Sequence, residues 1–130
     1  DIFRELYKAS YPIASIRLID DFDADDERSM QANNTSCFCY RTVAGSGKLS
    51  NHARGLAIDI NPLFNPCVYR QRNGRMTVQP STATGYTDRS REFAGKIAEG
   101  DLCLLLFRRH GFRWGGDWRT KKDYQHFEKQ

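Results

Sequence analysis

Ser50-Asn51-His52-Ala53-Arg54-Gly55-Leu56-Ala57-Ile58-Asp59-Ile60 is the stretch on which the reading of this chain turns. Leu56, Ile58 and Ile60 alternate with Ala57 and Asp59, the two-residue period of a strand with one face toward a core. Asp59 then projects from the other face, where a carboxylate between two isoleucines is costly to bury unless paired or bound to a metal. Gly55 lets the chain turn, so that His52 approaches the face from which Asp59 projects. Toward the other end, Asp123-Tyr124-Gln125-His126-Phe127-Glu128 repeats the theme. Residues 124–128 read as a short strand, and His126 follows an acid three residues earlier. Zinc hydrolases use three protein ligands and keep a position open for water, and His52, Asp59 and His126 would supply such a set. Each alone has an ordinary reading, as a hydrogen-bonded histidine or a buried turn cap. The conjunction carries the zinc reading, because two of the three histidines flank acids in strand-patterned segments.

Outward from these segments, residues 36–43 are rich in aromatic and β-branched side chains and read as a strand. Residues 15–22 read as another, with Ile16, Leu18 and Asp20 facing one way. Residues 2–9 form a short helix with Ile2, Phe3, Leu6 and Tyr7 on one side, closed by Pro12, and residues 25–32 form a second helix. Ala44-Gly45-Ser46-Gly47 is a turn. Residues 68–80 carry Arg72-Asn73-Gly74-Arg75 between extended flanks, a hairpin signal, and residues 80–88 are a Ser/Thr/Gly-rich loop. The whole segment 68–88 is a candidate lid. A helix is expected at 89–99, with Phe93 and Ile97 one turn apart. Asp101 caps the next helix, whose buried stripe is Leu102, Leu105 and Leu106 and whose C′ residue is Gly111. Strands with segregated helices imply an α+β fold, a mostly antiparallel sheet with helices packed against it. No repeat or linker interrupts the chain, so residues 1–130 are expected to be a single domain.

Hydrophobic content of 39% and aromatic content of 12% suit a globular chain, and the longest apolar run, 102–107, is far too short to span a bilayer. The net charge of +4 and pI near 9.0 favour anionic surroundings: nucleic acid, a membrane surface or an acidic cell-wall polymer. Arg17, Arg28, Arg54, Arg70, Arg72, Arg75, Arg89 and Arg91 are dispersed, and no nucleic-acid-reading motif accompanies them, so nucleic acid is not an expected partner. Of the four cysteines, Cys37 and Cys39 would share a strand face and either could meet Cys67 in a disulfide, in an exported protein. Cys103 lies among leucines and reads as an inert buried thiol. The chain begins with Asp rather than Met, as expected after removal of an export signal or an upstream domain.

The pattern Ser50-x-His52-x-x-Gly55-x-Ala57-x-Asp59-Ile60, followed at a distance by Asp123-x-x-His126, resembles the zinc D-alanyl-D-alanine carboxypeptidase family. That family includes the L-alanyl-D-glutamate endopeptidases of phage lysins and shares its fold with the signalling domain of Hedgehog. Gly111-Phe112-Arg113-Trp114-Gly115-Gly116-Asp117-Trp118, leading into Asp123-Tyr124-Gln125-His126-Phe127-Glu128, resembles one bacterial branch, and the likeness spans about residues 36–128. The resemblance implies a Hedgehog/DD-peptidase type fold, with zinc held by His52, Asp59 and His126. It also implies that Asp123 acts as general acid/base and that Arg41, in Cys39-Tyr40-Arg41-Thr42, stabilises the oxyanion. Ser50 matches a residue near the substrate, although a turn-forming serine would look the same. Peptidoglycan stem peptides would be the partners, the bacterial cell envelope the location, and release of terminal D-Ala the reaction. The rivals are an L-alanyl-D-glutamate endopeptidase, a zinc-binding module without catalysis, and a general basic binding module. His110 suits a helix C-terminus and takes no catalytic part. Trp114 and Trp118 read as packing beside the site, with Trp118 near enough to line the cleft.

Overall fold

The computed structural model describes residues 1–43 and 45–130. Helix α1 (Ile2–Lys8) buries Leu6 and packs against a later helix, α3 (Leu102–Arg109). Asp101 caps α3 as expected, its carboxylate accepting the N–H groups of Cys103 at 3.0 Å and Leu104 at 3.3 Å. Such a cap contributes about 1 kcal/mol. The buried stripe of α3 is Cys103, Leu104, Leu106 and Phe107, so Leu106 is inside as expected and Leu102 and Leu105 are not. Leu102 and Leu105 are 37% and 48% exposed. In a run of leucines helical spacing fits either face, and Phe107, the bulkiest residue, turns its own face inward to stack on Phe127 at 4.2 Å. Gly111 follows His110 in the C′ position with φ +83°. The remaining helix, α2 (Asp26–Gln31), is capped by Asp25.

The fold is α+β, as expected, but among the described residues its strands form three small sheets. Strands β1 (Ser15–Ile16) and β2 (Asn34–Thr35) pair in parallel. Strand β3 (Ala57–Asp59) pairs antiparallel with β8 (His126–Glu128), which also pairs with β6 (Arg113–Trp114). The hairpin β4 (Cys67–Arg70) and β5 (Met76–Gln79) forms as predicted, and β4 pairs antiparallel with β7 (Lys121–Asp123). Strands β7 and β8 are separated only by Tyr124 and Gln125, whose backbone joins both sheets. Tyr124 N–H reaches Pro66 O at 3.3 Å, and Ile60 N–H reaches Gln125 O at 2.9 Å. Ile60, Ile97, Leu104, Phe107 and Phe127 fill the core between α1, α3 and the β3–β8–β6 sheet. Ile58 packs against that core, whereas Leu56, expected inside, precedes the strand and is 37% exposed.

Three expected elements dissolve, each for a local reason. The strand at 15–22 ends at Ile16 because the Asn34 side chain captures the next backbone groups. Its Oδ1 accepts Arg17 N–H at 2.8 Å and its Nδ2 donates to Arg17 O at 3.0 Å, and the chain then enters a 3-10 turn, Ile19–Phe22. The strand at 36–43 reduces to two bridges, Ser36 with Asp59 and Thr42 with Leu49, leaving Phe38 and Tyr40 exposed. The helix at 89–99 does not form. Gly95 sits at φ +84°, and a Cβ there would lie 2.9 Å from Phe64. The Arg89 guanidinium instead gathers this irregular segment, donating to Phe64 O, Tyr86 O, Ile97 O and Asn65 Oδ1 while lying over the Tyr124 ring.

The expected turn at 44–47 includes Ala44, which lies outside the described residues. Val43 N–H bonds Lys48 O, and Ser46 N–H bonds Val43 O. The candidate lid at 68–88 is tied down instead: β4 is paired on both sides, and a 3-10 segment, Ser81–Tyr86, follows. The four thiols are free, so the Cys67 pairing does not form. Among the described residues, no helix is long and apolar enough to cross a membrane.

Candidate metal centre

Asp59 and His126 stand directly opposite each other in the β3–β8 register, so their side chains share one face. His52 arrives from a tight turn closed by Gly55 N–H to His52 O at 3.1 Å and Leu56 N–H to Asn51 O at 2.8 Å. His52 Nε2 then lies 3.3 Å from Asp59 Oδ2 and 3.2 Å from His126 Nδ1, which is 3.1 Å from Asp59 Oδ1. The three side chains that the strand pattern singled out are all buried, and one donor atom of each converges on a common point.

The outward nitrogens decide what the inward ones can do. His52 Nδ1 faces Cys37 O at 2.9 Å, an acceptor, so it carries the proton and leaves the Nε2 lone pair pointing in. His126 Nε2 faces Glu128 Oε2 at 3.1 Å, which likewise turns the Nδ1 lone pair inward. Two imidazole lone pairs and a carboxylate at this spacing are held together only by a cation or by protons between them. Four-coordinate zinc with bonds of about 2.0–2.1 Å sets neighbouring donors roughly 3.3–3.4 Å apart, close to the separations seen. The nitrogen–oxygen–nitrogen donor set therefore fits zinc. With no cation in the gap, the charges draw protons into it instead. Burial raises the Asp59 carboxyl, but the two imidazoles outweigh it and hold it far below the ordinary range. Burial lowers His126, but hydrogen bonds to the Asp59 and Glu128 carboxylates carry it up to about 10. Burial also lowers His52, and the Asp59 charge more than compensates.

A cleft of about 630 Å³ opens over the cluster. Asp123 lines it from the end of β7, and its Oδ1 is buried without a hydrogen-bond partner. Burial first, and the Asp59 charge second, raise Asp123 to about 6. Gly115 makes this placement possible: a Cβ there would stand 2.8 Å from Asp123 Cβ and 3.2 Å from His126 Cβ. Arg41 also lines the cleft, its Nε 3.8 Å from Asp26 Oδ2. Ser50 lines it too, but its hydroxyl accepts Ala53 N–H at 3.2 Å, in keeping with a turn-forming serine. Trp118 packs beside His126 with centroids 5.3 Å apart, whereas Trp114 is buried and donates to Tyr124 O. His110 is satisfied at its helix end, Nδ1 lying 2.9 Å from Leu106 O. Cys67 borders the cleft opposite Asp123, and burial pushes its thiol up to about 12. Cys103 is buried, as expected.

Sequence reasoning gave no part to Glu128, Asn51, Asp26 or Gly115. The signal for Glu128 was available, because in a strand it must share a face with His126. Asp26 carried none, as α2 reaches the cleft only through the tertiary fold.

A family model described as D-alanyl-D-alanine carboxypeptidase matches residues 44–129. The match covers His52, Asp59, Asp123 and His126 and begins after Arg41. No solved structure matches the chain significantly.

Proposed function

The chain belongs to the D-alanyl-D-alanine carboxypeptidase family, and on that premise we propose that it is a zinc peptidase that hydrolyses peptidoglycan stem peptides and releases a terminal D-Ala. The observation that carries the zinc reading is the inward convergence of His52 Nε2, His126 Nδ1 and the Asp59 carboxylate, with both outward nitrogens bonded to acceptors. These three residues would hold the ion. A zinc ion there supplies a Lewis acid that polarises the scissile carbonyl and eases loss of a proton from water.

Asp123 is the proton carrier. Its buried, unpartnered Oδ1 takes a proton from the attacking water and later delivers it to the leaving amine. Elevation to about 6 suits that exchange near neutral pH. Arg41 presents a cation on the cleft wall, its buried Nε without a hydrogen-bond partner, suited to charge developing on the carbonyl oxygen. Ser50 contacts substrate from the same wall. Lys48, Arg54 and Lys121 line the cleft alongside Asp26 and Glu27, and a free substrate carboxylate would be received by one of these cations. A chain with this substrate works in the bacterial cell envelope, and residues 1–130 act as one peptidase domain.

The experiment compares a stem pentapeptide ending in D-Ala-D-Ala with its C-terminal amide. Release of free D-Ala from the acid but not from the amide is expected. Equal turnover of both, or cleavage at L-Ala-D-Glu, would replace the carboxypeptidase reading with an endopeptidase.

A further inference from the structure

We propose that Glu128, steadied by Asn51, is a positioning residue that fixes the tautomer and ring orientation of His126. The proposal rests on the reading that the cluster holds a divalent metal. Strand geometry places His126 and Glu128 two residues apart on one face of β8. In the register Glu128 stands between Arg113 and Ala57, and Ala57 is small enough to leave the carboxylate room to fold back over its own strand. Glu128 Oε2 thereby reaches His126 Nε2 at 3.1 Å. The same oxygen accepts a 2.7 Å hydrogen bond from Asn51 Nδ2.

A carboxylate can only accept, so Glu128 compels His126 to carry its proton on Nε2 and its lone pair on Nδ1. The other tautomer would point N–H at the donor cluster and forfeit this bond. The two histidines are held differently: a backbone carbonyl, Cys37 O, orients His52, whereas a side chain orients His126. Asn51 immediately precedes His52, so the Asn51–Glu128 bond also locks the His52 turn to β8. The separation between His52 and His126 is therefore set from outside the cluster. Asn51 and Glu128 act through other residues and touch no reacting atom.

Loss of a carboxylate that orients a metal-bound imidazole lowers metal affinity by about 10–100-fold. The test titrates zinc into wild-type protein, Glu128→Ala, Glu128→Gln and Asn51→Ala against a competing chelator. Visible spectra of the cobalt forms and urea unfolding of the metal-free forms accompany the titrations. Glu128→Ala should weaken zinc binding by about 10–100-fold and alter the cobalt spectrum. Glu128→Gln retains an acceptor oxygen and should recover most of the affinity. Asn51→Ala should fall between them, and it carries the test should Glu128→Ala fail to fold. Unfolding midpoints of the metal-free forms should stay together, a result a merely structural pillar would not give. If wild type binds zinc and both Glu128→Ala and Asn51→Ala bind it within about twofold, the positioning role is overturned alone. If wild type takes up neither zinc nor cobalt, the metal reading falls and this role with it.

Discussion

Changing Gly115 to Ala tests whether the catalytic geometry depends on close packing behind it. The new Cβ would lie 2.5 Å from Asp123 O, 2.8 Å from Asp123 Cβ and 3.2 Å from His126 Cβ. The first obstacle is backbone and cannot swing away. Relief to an ordinary contact of about 3.4 Å requires roughly 0.9 Å of separation between Gly115 and the end of β7, a core overpacking that costs about 1–3 kcal/mol. Asp123 and His126 would move with that backbone. A displacement near 1 Å at a reacting group costs about 100-fold in rate. Urea unfolding should therefore show a lower midpoint with an unchanged slope, and turnover should fall by about two orders of magnitude. Gly85→Ala is the control, because nothing lies within 4 Å of a Cβ there and its φ needs no glycine. A Gly115→Ala protein as stable and as active as the control would refute the reasoning.

Asp123→Asn should keep its fold and its zinc but lose about 10²–10⁴-fold in turnover, measured on the D-Ala-D-Ala pentapeptide. In wild type, kcat/KM should fall as the pH drops below about 6. The sign follows from Asp123 having to be deprotonated to accept a proton, and a cation in the cluster would move that limb lower; an acid limb centred above pH 7 would exclude Asp123 as the base. Arg89→Ala should destabilise the protein by about 3–4 kcal/mol in urea unfolding, since its hydrogen bonds come from a charged donor and their half-buried acceptors would be stranded. A loss below about 1 kcal/mol would show that water replaces the guanidinium there.

What was legible in the sequence was what a short period or a local cap determines. Alternation around Asp59 and His126 gave two strands and a shared face, Asp101 announced α3, and Arg72-Asn73-Gly74-Arg75 announced the β4–β5 hairpin. Contacts that depend on distant chain were not legible. Asn34 ends the first strand from 17 residues away. Arg89 gathers carbonyls from three segments, so Phe93 and Ile97 are brought inside without a helix between them. The cluster of His52, Asp59 and His126 was readable because these are rare residue types in patterned segments. The supports behind it were less so: Glu128 and Gly115 stood within the quoted motifs with no role attached to either. Aromatic content misled at 36–43, where Phe38 and Tyr40 lie exposed on irregular chain between two isolated bridges.

The most direct measurement is the zinc content of the purified protein, prepared without chelators, beside His52→Ala, Asp59→Ala and His126→Ala. One tightly held zinc per chain is expected in wild type. Each variant removes one of three buried donors that lie 3.1–3.3 Å apart, and each should lose the ion. Wild-type protein that carries no zinc and takes up none on addition would contradict the account at its centre.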